Sequence, residues 1–120
     1  RNKNIKIYGT GKQIRDFTYI DDAIQLIERI IHKKLKRNKI PFDIFNTGKG
    51  KCISINNLII LISNLLNKKP KIIKADKQMG DLPFTNSSNK KISENLKFKP
   101  KTSLKIGVKK FLDWYKTYNK

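Results

Sequence analysis

Apolar and polar residues alternate at Ile5-Lys6-Ile7-Tyr8, a period of two that predicts a short strand. Gly9-Thr10-Gly11 closes it in a turn. Arg15 to Tyr19 predicts a second extended segment. Ile20, Ile24, Ile27, Ile31 and Leu35 then recur at helical spacing, predicting a helix that buries this face and ends near Lys36. Asp21 and Asp22 suit its start, where a carboxylate meets free N–H groups and the positive end of the dipole.

Phe42 to Asn46, entered through Pro41, predicts a strand, and Gly48-Lys49-Gly50 a turn. Ser54 is a candidate N-cap for an amphipathic helix carrying Ile55, Leu58, Ile59, Ile62 and Leu66. Pro70 ends that helix, and Lys71 to Ala75 alternates as a strand. Asp76 to Asn89 is polar, contains Gly80 and Pro83, and reads as a loop. Asn89 to Leu96 suits a short helix. After Pro100, Thr102 or Ser103 caps a last helix with a core face of Leu104, Val108, Phe111, Leu112 and Tyr115. With no repeat and no low-complexity linker, residues 1–120 are expected to form one compact α/β unit.

A chain of 120 residues suffices for one domain with a modest core. It opens on Arg1 rather than Met and enters the Ile5–Tyr8 strand almost at once, so a piece of a longer protein is expected. The longest apolar run, Leu58 to Ile62, is core-sized, and no charged-then-apolar leader precedes it, so no membrane role is expected. One cysteine, Cys52, excludes an internal disulfide and fits a reducing, cytoplasmic compartment.

The net charge of +19 changes the picture less than it first suggests. Only Arg1, Arg15, Arg29 and Arg37 are arginines; the other basic residues are lysines. Lysine, isoleucine and asparagine are all abundant, as an A- and T-rich coding sequence would make them on any fold. The lysines are spread along the chain, without the aromatic strand of an RNA-binding module or a set of zinc ligands. A solvated lysine surface is the preferred reading, with no nucleic-acid partner. A basic nucleic-acid or anionic-surface binding module stands as the alternative from another class.

Catalytic machinery is not visible. His32 is alone, and Cys52 has no partner at metal spacing, so no metal site is expected. Gly9/Gly11 and Gly48/Gly50 each form a Gly-x-Gly pair, but Ile14 and Ile53 stand where a dinucleotide fingerprint needs a third glycine. Tyr8 and Lys12 match Tyr-x-x-x-Lys, yet Gly9 and Gly11 argue against the helix such a pair requires. What remains are polar groups on loops. Arg15 can donate a fork of hydrogen bonds to a phosphate, or pair with Asp16 or another acid. Asn46 ends a strand before a glycine turn, and Gln78-Met79-Gly80-Asp81 sets an amide and a carboxylate across a glycine; both also suit plain turns.

The pieces in order are I-x-I-Y-G-x-G-x-x-x-R-D-F-T-Y-I-D-D, F-N-x-G-x-G, Q-x-G-D and L-x-F-x-P-x-T-x-L-x-x-G-V-x-x-F-x-x-W-Y. Together they resemble the C-terminal part of the extended short-chain dehydrogenase/reductases, the NAD-dependent nucleotide-sugar epimerases and dehydratases. Gln78 in Q-x-G-D makes the chain most similar to the UDP-glucuronate 4-epimerases of that family. The resemblance implies an α/β fold in which this chain is the small C-terminal substrate domain, with the Rossmann domain missing. NAD would be bound by that missing N-terminal domain, and the catalytic Tyr-x-x-x-Lys would lie there too. No catalytic residue is expected in this chain, which alone would be inactive.

By the same resemblance Arg15 would contact the UDP diphosphate and Tyr8 would line the base pocket. Asn46 would lie near the diphosphate, and Gln78 and Asp81 would face the nucleotide, Asp81 toward the ribose hydroxyls. Asp21 and Asp22 would hold the strand–helix junction, and Trp114 and Tyr115 would pack the last helix against the domain. Ser87-Ser88 departs from an Ala-Asp pair common in the family. The implied parent activity is epimerisation at C4 of a UDP-sugar in polysaccharide biosynthesis, by a homodimer whose C-terminal piece need not itself dimerise. A dehydratase or decarboxylase of the same family is the alternative.

Overall fold

The computed structural model describes residues 4–32 and 43–119. Strand β1 (Ile5–Tyr8) lies parallel to β4 (Ile72–Ala75), with Ile5 opposite Ile72 and Tyr8 opposite Ala75. A parallel pair needs a long crossover, and the whole stretch between the two strands supplies it. Within that stretch β2 (Ile14–Arg15) pairs antiparallel with β3 (Ile53–Ser54), Arg15 facing Ile53.

Ile14 bonds in the opposite direction. Its N–H donates to Pro83 O at 2.9 Å and its carbonyl accepts from Thr85 N at 3.1 Å. The short β2 is therefore held between β3 and residues 83–85, the second half of the polar loop. Of the expected extended segment from Arg15 to Tyr19, only Arg15 carries ladder bonds; residues 16–19 run on without a strand partner.

Helix α1 (Ile20–His32) forms as the periodicity predicts but buries a different face. Leu26 is 4% exposed and Ile30 packs beside it, whereas Ile24, Ile27 and Ile31 are exposed. The helix carries two apolar stripes, and the core selects the one reaching α3 (Lys90–Leu96) and Phe98. Arg29 reinforces that choice, its guanidinium 5.4 Å from the Phe98 ring centroid. The expected end near Lys36, with Leu35, lies outside the described residues.

The expected strand at 42–46 does not form over its described part, residues 43–46; Phe42 lies outside it. Side chains take the backbone groups a ladder would need. Ile44 N–H donates to Asp43 Oδ1 at 2.9 Å, and Lys91 Nζ donates to Ile44 O at 2.7 Å. Phe45 still packs against the cluster of Leu26, Ile92, Leu96 and Phe98.

Helix α2 (Ile55–Leu66) starts where the sequence indicates, with Ser54 Oγ accepting from Asn57 N at 3.2 Å. Helix α4 (Leu104–Tyr118) is capped by Ser103, whose hydroxyl accepts from Ile106 N. Leu104, Val108 and Leu112 are half-buried, but Phe111 and Tyr115, expected in the core, are exposed. The buried α4 position is instead Gly107, where an added Cβ would sit 3.1 Å from the Tyr19 ring. Trp114 and Tyr115 do not pack the helix inward. They line an outer aromatic row with Phe111 and Tyr118, the Trp114 and Tyr118 rings stacked at 5.4 Å.

The shape is elongated rather than compact. The Cα radius of gyration is 17.7 Å, against about 14 Å for a globular chain of this length. Among the described residues, no helix is long and apolar enough to cross a membrane.

Candidate functional site

Arg15 stands on the short β2, and the turn 78–81 precedes the segment that bonds to Ile14. Gly80, at φ +82°, occupies the position where a type II turn requires glycine, and Asp81 N–H closes the turn on Gln78 O at 3.2 Å. This turn delivers Asp81 to Arg15. Arg15 Nη2 lies 2.5 Å from Asp81 Oδ1, while Nη1 donates to Ile14 O at 2.8 Å. Both side chains of the pair are about three-quarters buried, at 25% and 24% exposure. Arginine carries five N–H donors, so this arrangement leaves further donors on the same rigid fork. The sequence left Arg15 open between a phosphate contact and an ion pair with Asp16 or another acid. Its partner here is Asp81.

Gln13, two residues before Arg15 on the extended segment, reaches the same carboxylate. Its Nε2 donates to Asp81 Oδ2 at 3.0 Å and to Tyr8 O at 2.7 Å. Four of the five residues expected at the site thus gather at one end of β1 and β2: Tyr8, Arg15, Gln78 and Asp81. The Tyr8 ring is half-exposed with Lys6 Nζ 5.2 Å from its centroid, and Gln78 is exposed. Gln13 was missed by sequence reasoning. The available signal was its i, i+2 relation to Arg15, which puts both side chains on one side of a strand.

Asn46 is exposed, and no hydrogen bond joins it to these four. It adjoins a second cluster centred on Gly48. Asp16 accepts from Gly50 N–H with both oxygens, at 3.1 and 3.0 Å. The Asn89 amide pairs with Gly48, accepting from its N–H at 3.0 Å and donating to its carbonyl at 2.5 Å. Asp16 and Asn89 therefore bind the 46–50 loop down, which explains why Asp16 does not serve Arg15.

Asp22 is the buried acid of the α1 start, 3% exposed, and its Oδ2 accepts from Thr102 N at 2.9 Å. It joins α1 to the entry of α4 rather than capping its own helix. Asp21 pairs with Lys110 at 3.5 Å. Both carboxylates were expected to hold the strand–helix junction; they instead join α1 to α4 and its entry.

The two Gly-x-Gly turns do not fit a dinucleotide. A Cβ at Gly11 would lie 2.0 Å from Asn56 Oδ1, and one at Gly48 would lie 2.2 Å from Asp16 Oδ2. The space a pyrophosphate would approach is filled by the chain's own side chains. Among the described residues, no group of three His, Cys, Asp or Glu is arranged to hold a metal. Two cavities adjoin the α2–α4 contact, one apolar, of about 440 Å³, lined by Phe17, Tyr19, Leu58, Val108 and Phe111 among others, the other bordered also by Lys68, Lys69, Lys71 and Lys116. Neither contains Arg15 or Asp81; that pair lies at the strand ends, partly open to solvent.

The chain is similar to known proteins. The NAD dependent epimerase/dehydratase family model matches residues 1–48, and in sequence and fold the chain is similar to UDP-glucuronate 4-epimerases. The UDP-glucuronate 4-epimerase of Thermodesulfobacterium geofontis is 37% identical over 115 residues, which are 95% of this chain and 34% of the relative. Protein CapI of Staphylococcus aureus is 32% identical over a gapped alignment of 129 positions that covers 97% of this chain and 39% of the relative. The crystal structure of UDP-glucuronic acid 4-epimerase from Bacillus cereus, in complex with UDP-glucuronic acid and NAD, superposes with a TM-score of 0.88 at 29% identity. It is matched over 98% of this chain and 36% of its own. The chain thus spans little more than a third of the length of these proteins.

Proposed function

We propose that this chain is the nucleotide-sugar-binding domain of an NAD-dependent UDP-sugar 4-epimerase, of the UDP-glucuronate/UDP-galacturonate type. The observation that carries the reading is the meeting of Arg15 with the Gln78–Asp81 turn at the ends of β1 and β2. It concerns the residues that the family resemblance assigns to the nucleotide, in a chain homologous to UDP-glucuronate 4-epimerases over nearly its whole length.

In this reading the spare donors of the Arg15 fork hold the diphosphate in charge-assisted hydrogen bonds. Asp81 accepts from ribose hydroxyls, and Tyr8 and Gln78 border the base. Asn46, on the bound-down loop, lies near the diphosphate. The strand pairing and Asp16 keep these groups rigid, so little ordering is lost when ligand binds. Residues 1–120 act as one substrate domain, and the domain works in the cytoplasm, where nucleotide sugars serve polysaccharide assembly. Neither Gly-x-Gly turn among the described residues offers a dinucleotide cradle; in this reading NAD and the catalytic machinery belong to residues outside this chain. The full-length protein is a homodimer in this reading.

Purified full-length protein incubated with UDP-glucuronate is expected to give UDP-galacturonate. UDP-xylose with released carbon dioxide would instead make it a decarboxylase of the same family. No turnover and no UDP binding would overturn the reading.

A further inference from the structure

We infer that Gln13 is a positioning residue for the phosphate-binding arginine, acting through Asp81; the inference rests on the UDP-sugar reading of the site. The Gln13 amide has two hydrogens and both are used, one on Tyr8 O at 2.7 Å and one on Asp81 Oδ2 at 3.0 Å. Its orientation is fixed by chemistry. With oxygen and nitrogen exchanged, the amide oxygen would face a carboxylate and a carbonyl, two acceptors that give it no hydrogen.

This orientation has a cost. Gln13 Oε1 is buried and has no donor within reach. A methionine would fill similar space without burying an orphaned acceptor. Packing therefore does not explain a glutamine here; its two donations do.

The result is a relay across the candidate site. The backbone of β1 at Tyr8 holds Gln13, Gln13 holds one oxygen of Asp81, and the other oxygen of Asp81 holds Arg15 Nη2 at 2.5 Å. Asp81 sits on a turn whose neighbour Met79 is fully exposed, so the turn has little packing of its own. The 83–85 bridge to Ile14 holds the backbone after the turn, and Gln13 adds the tie from the Asp81 carboxylate to β1. Without it, Asp81 and the guanidinium it aims would sample several positions, and a diphosphate would have to order them on binding.

The test is a double-mutant cycle on the full-length protein, with UDP binding read by calorimetry and folding by thermal melting. Gln13→Met is expected to weaken UDP about 5- to 10-fold, because the Asp81 carboxylate loses its tie to β1. In the Arg15→Ala background the same substitution should weaken UDP less than it does in the wild type, because only the Asp81 contact is then left to position. Gln13→Leu removes both donations without adding a charge beside Asp81 and should weaken UDP about as much; it carries the same cycle where the methionine variant folds poorly.

Full additivity in the Arg15→Ala background would make Gln13 a scaffold residue and overturn the relay. So would a lower melting temperature with UDP affinity intact. If Arg15→Ala weakens UDP and neither Gln13 variant does, the relay falls while the UDP reading stands. If Arg15→Ala has no effect, the UDP reading falls, and the relay with it.

Discussion

Arg15 and Asp81 are 66 residues apart in sequence and 2.5 Å apart in space. The contact exists because β2 bonds on one side to β3 and on the other to residues 83–85, which brings the 78–81 turn alongside. Removing the carboxylate separates the roles of this pair. Asp81→Ala should cost the fold about 1–2 kcal/mol, since the pair is about three-quarters buried and two donors lose their acceptor. It should weaken UDP binding by the full-length protein by more than that, because Arg15 and Gln13 both lose their acceptor. Thermal melting and calorimetry on one preparation check the two halves; a large loss of stability with UDP affinity retained would contradict them.

Gly48 is a point of close approach between loops. An added Cβ would meet Asp16 Oδ2 at 2.2 Å and Ser87 Cβ at 2.6 Å. Neither neighbour can yield freely, because Asp16 is committed to Gly50 N–H. Gly48→Ala should destabilise the domain by about 1–3 kcal/mol through overpacking. Gly50→Ala meets only Asn89 Nδ2, at 3.7 Å, so its cost arises from its φ of +70° and not from contact. Urea unfolding of both variants measures the difference.

Asp22 holds two helices together with one hydrogen bond. It is 3% exposed, and its acceptor serves Thr102 N–H just before the Ser103 cap of α4. Asp22→Ala should cost about 1–3 kcal/mol, the penalty of leaving a partly buried N–H without a partner. Asp21→Ala should be nearly silent, because its pair with Lys110 is exposed and 3.5 Å long. A shift in urea midpoint for the first and not the second is the expected result.

The aromatic row on α4 gives an optical prediction. Trp114 is the only tryptophan in the chain and is 53% exposed, between Phe111 and Tyr118. The 120-residue chain should show red-shifted emission that a water-soluble quencher reduces readily. A blue-shifted, protected tryptophan would mean that this face is covered, by self-association or by a different packing of α4.

Legibility in the sequence followed the uniqueness of each pattern. Helix α2 was readable because Ser54 caps one apolar run. Helix α1 was readable as a helix, but its buried face was not. Ile20, Ile24, Ile27 and Ile31 spell one stripe and Ala23, Leu26 and Ile30 another, and only tertiary contact with Ile92 and Phe98 decides between them. The segment at 43–46 shows the limit of strand propensity, since Asp43 and Lys91 take the bonds a neighbouring strand would have needed. Arg15 and Asp81 were each singled out from their motifs, yet their pairing passes through a loop bridge at Phe84 that carries no periodic signal. Gln13 lay two residues from Arg15, a spacing that was available, and was passed over because the partner that gives it meaning, Asp81, is 68 residues away in sequence.

The most direct test of the account is UDP affinity of the full-length protein with and without the Arg15 guanidinium. Wild-type and Arg15→Ala proteins would be titrated with UDP, and with inorganic phosphate as a control, at fixed ionic strength. The account predicts selective binding of UDP by the wild type and a loss of about 1.5–3 kcal/mol on substitution, as for a charge-assisted contact. Equal UDP affinity in the two proteins would contradict it. Tight DNA binding that weakens steeply with salt, without UDP selectivity, would point to the basic surface as the functional one.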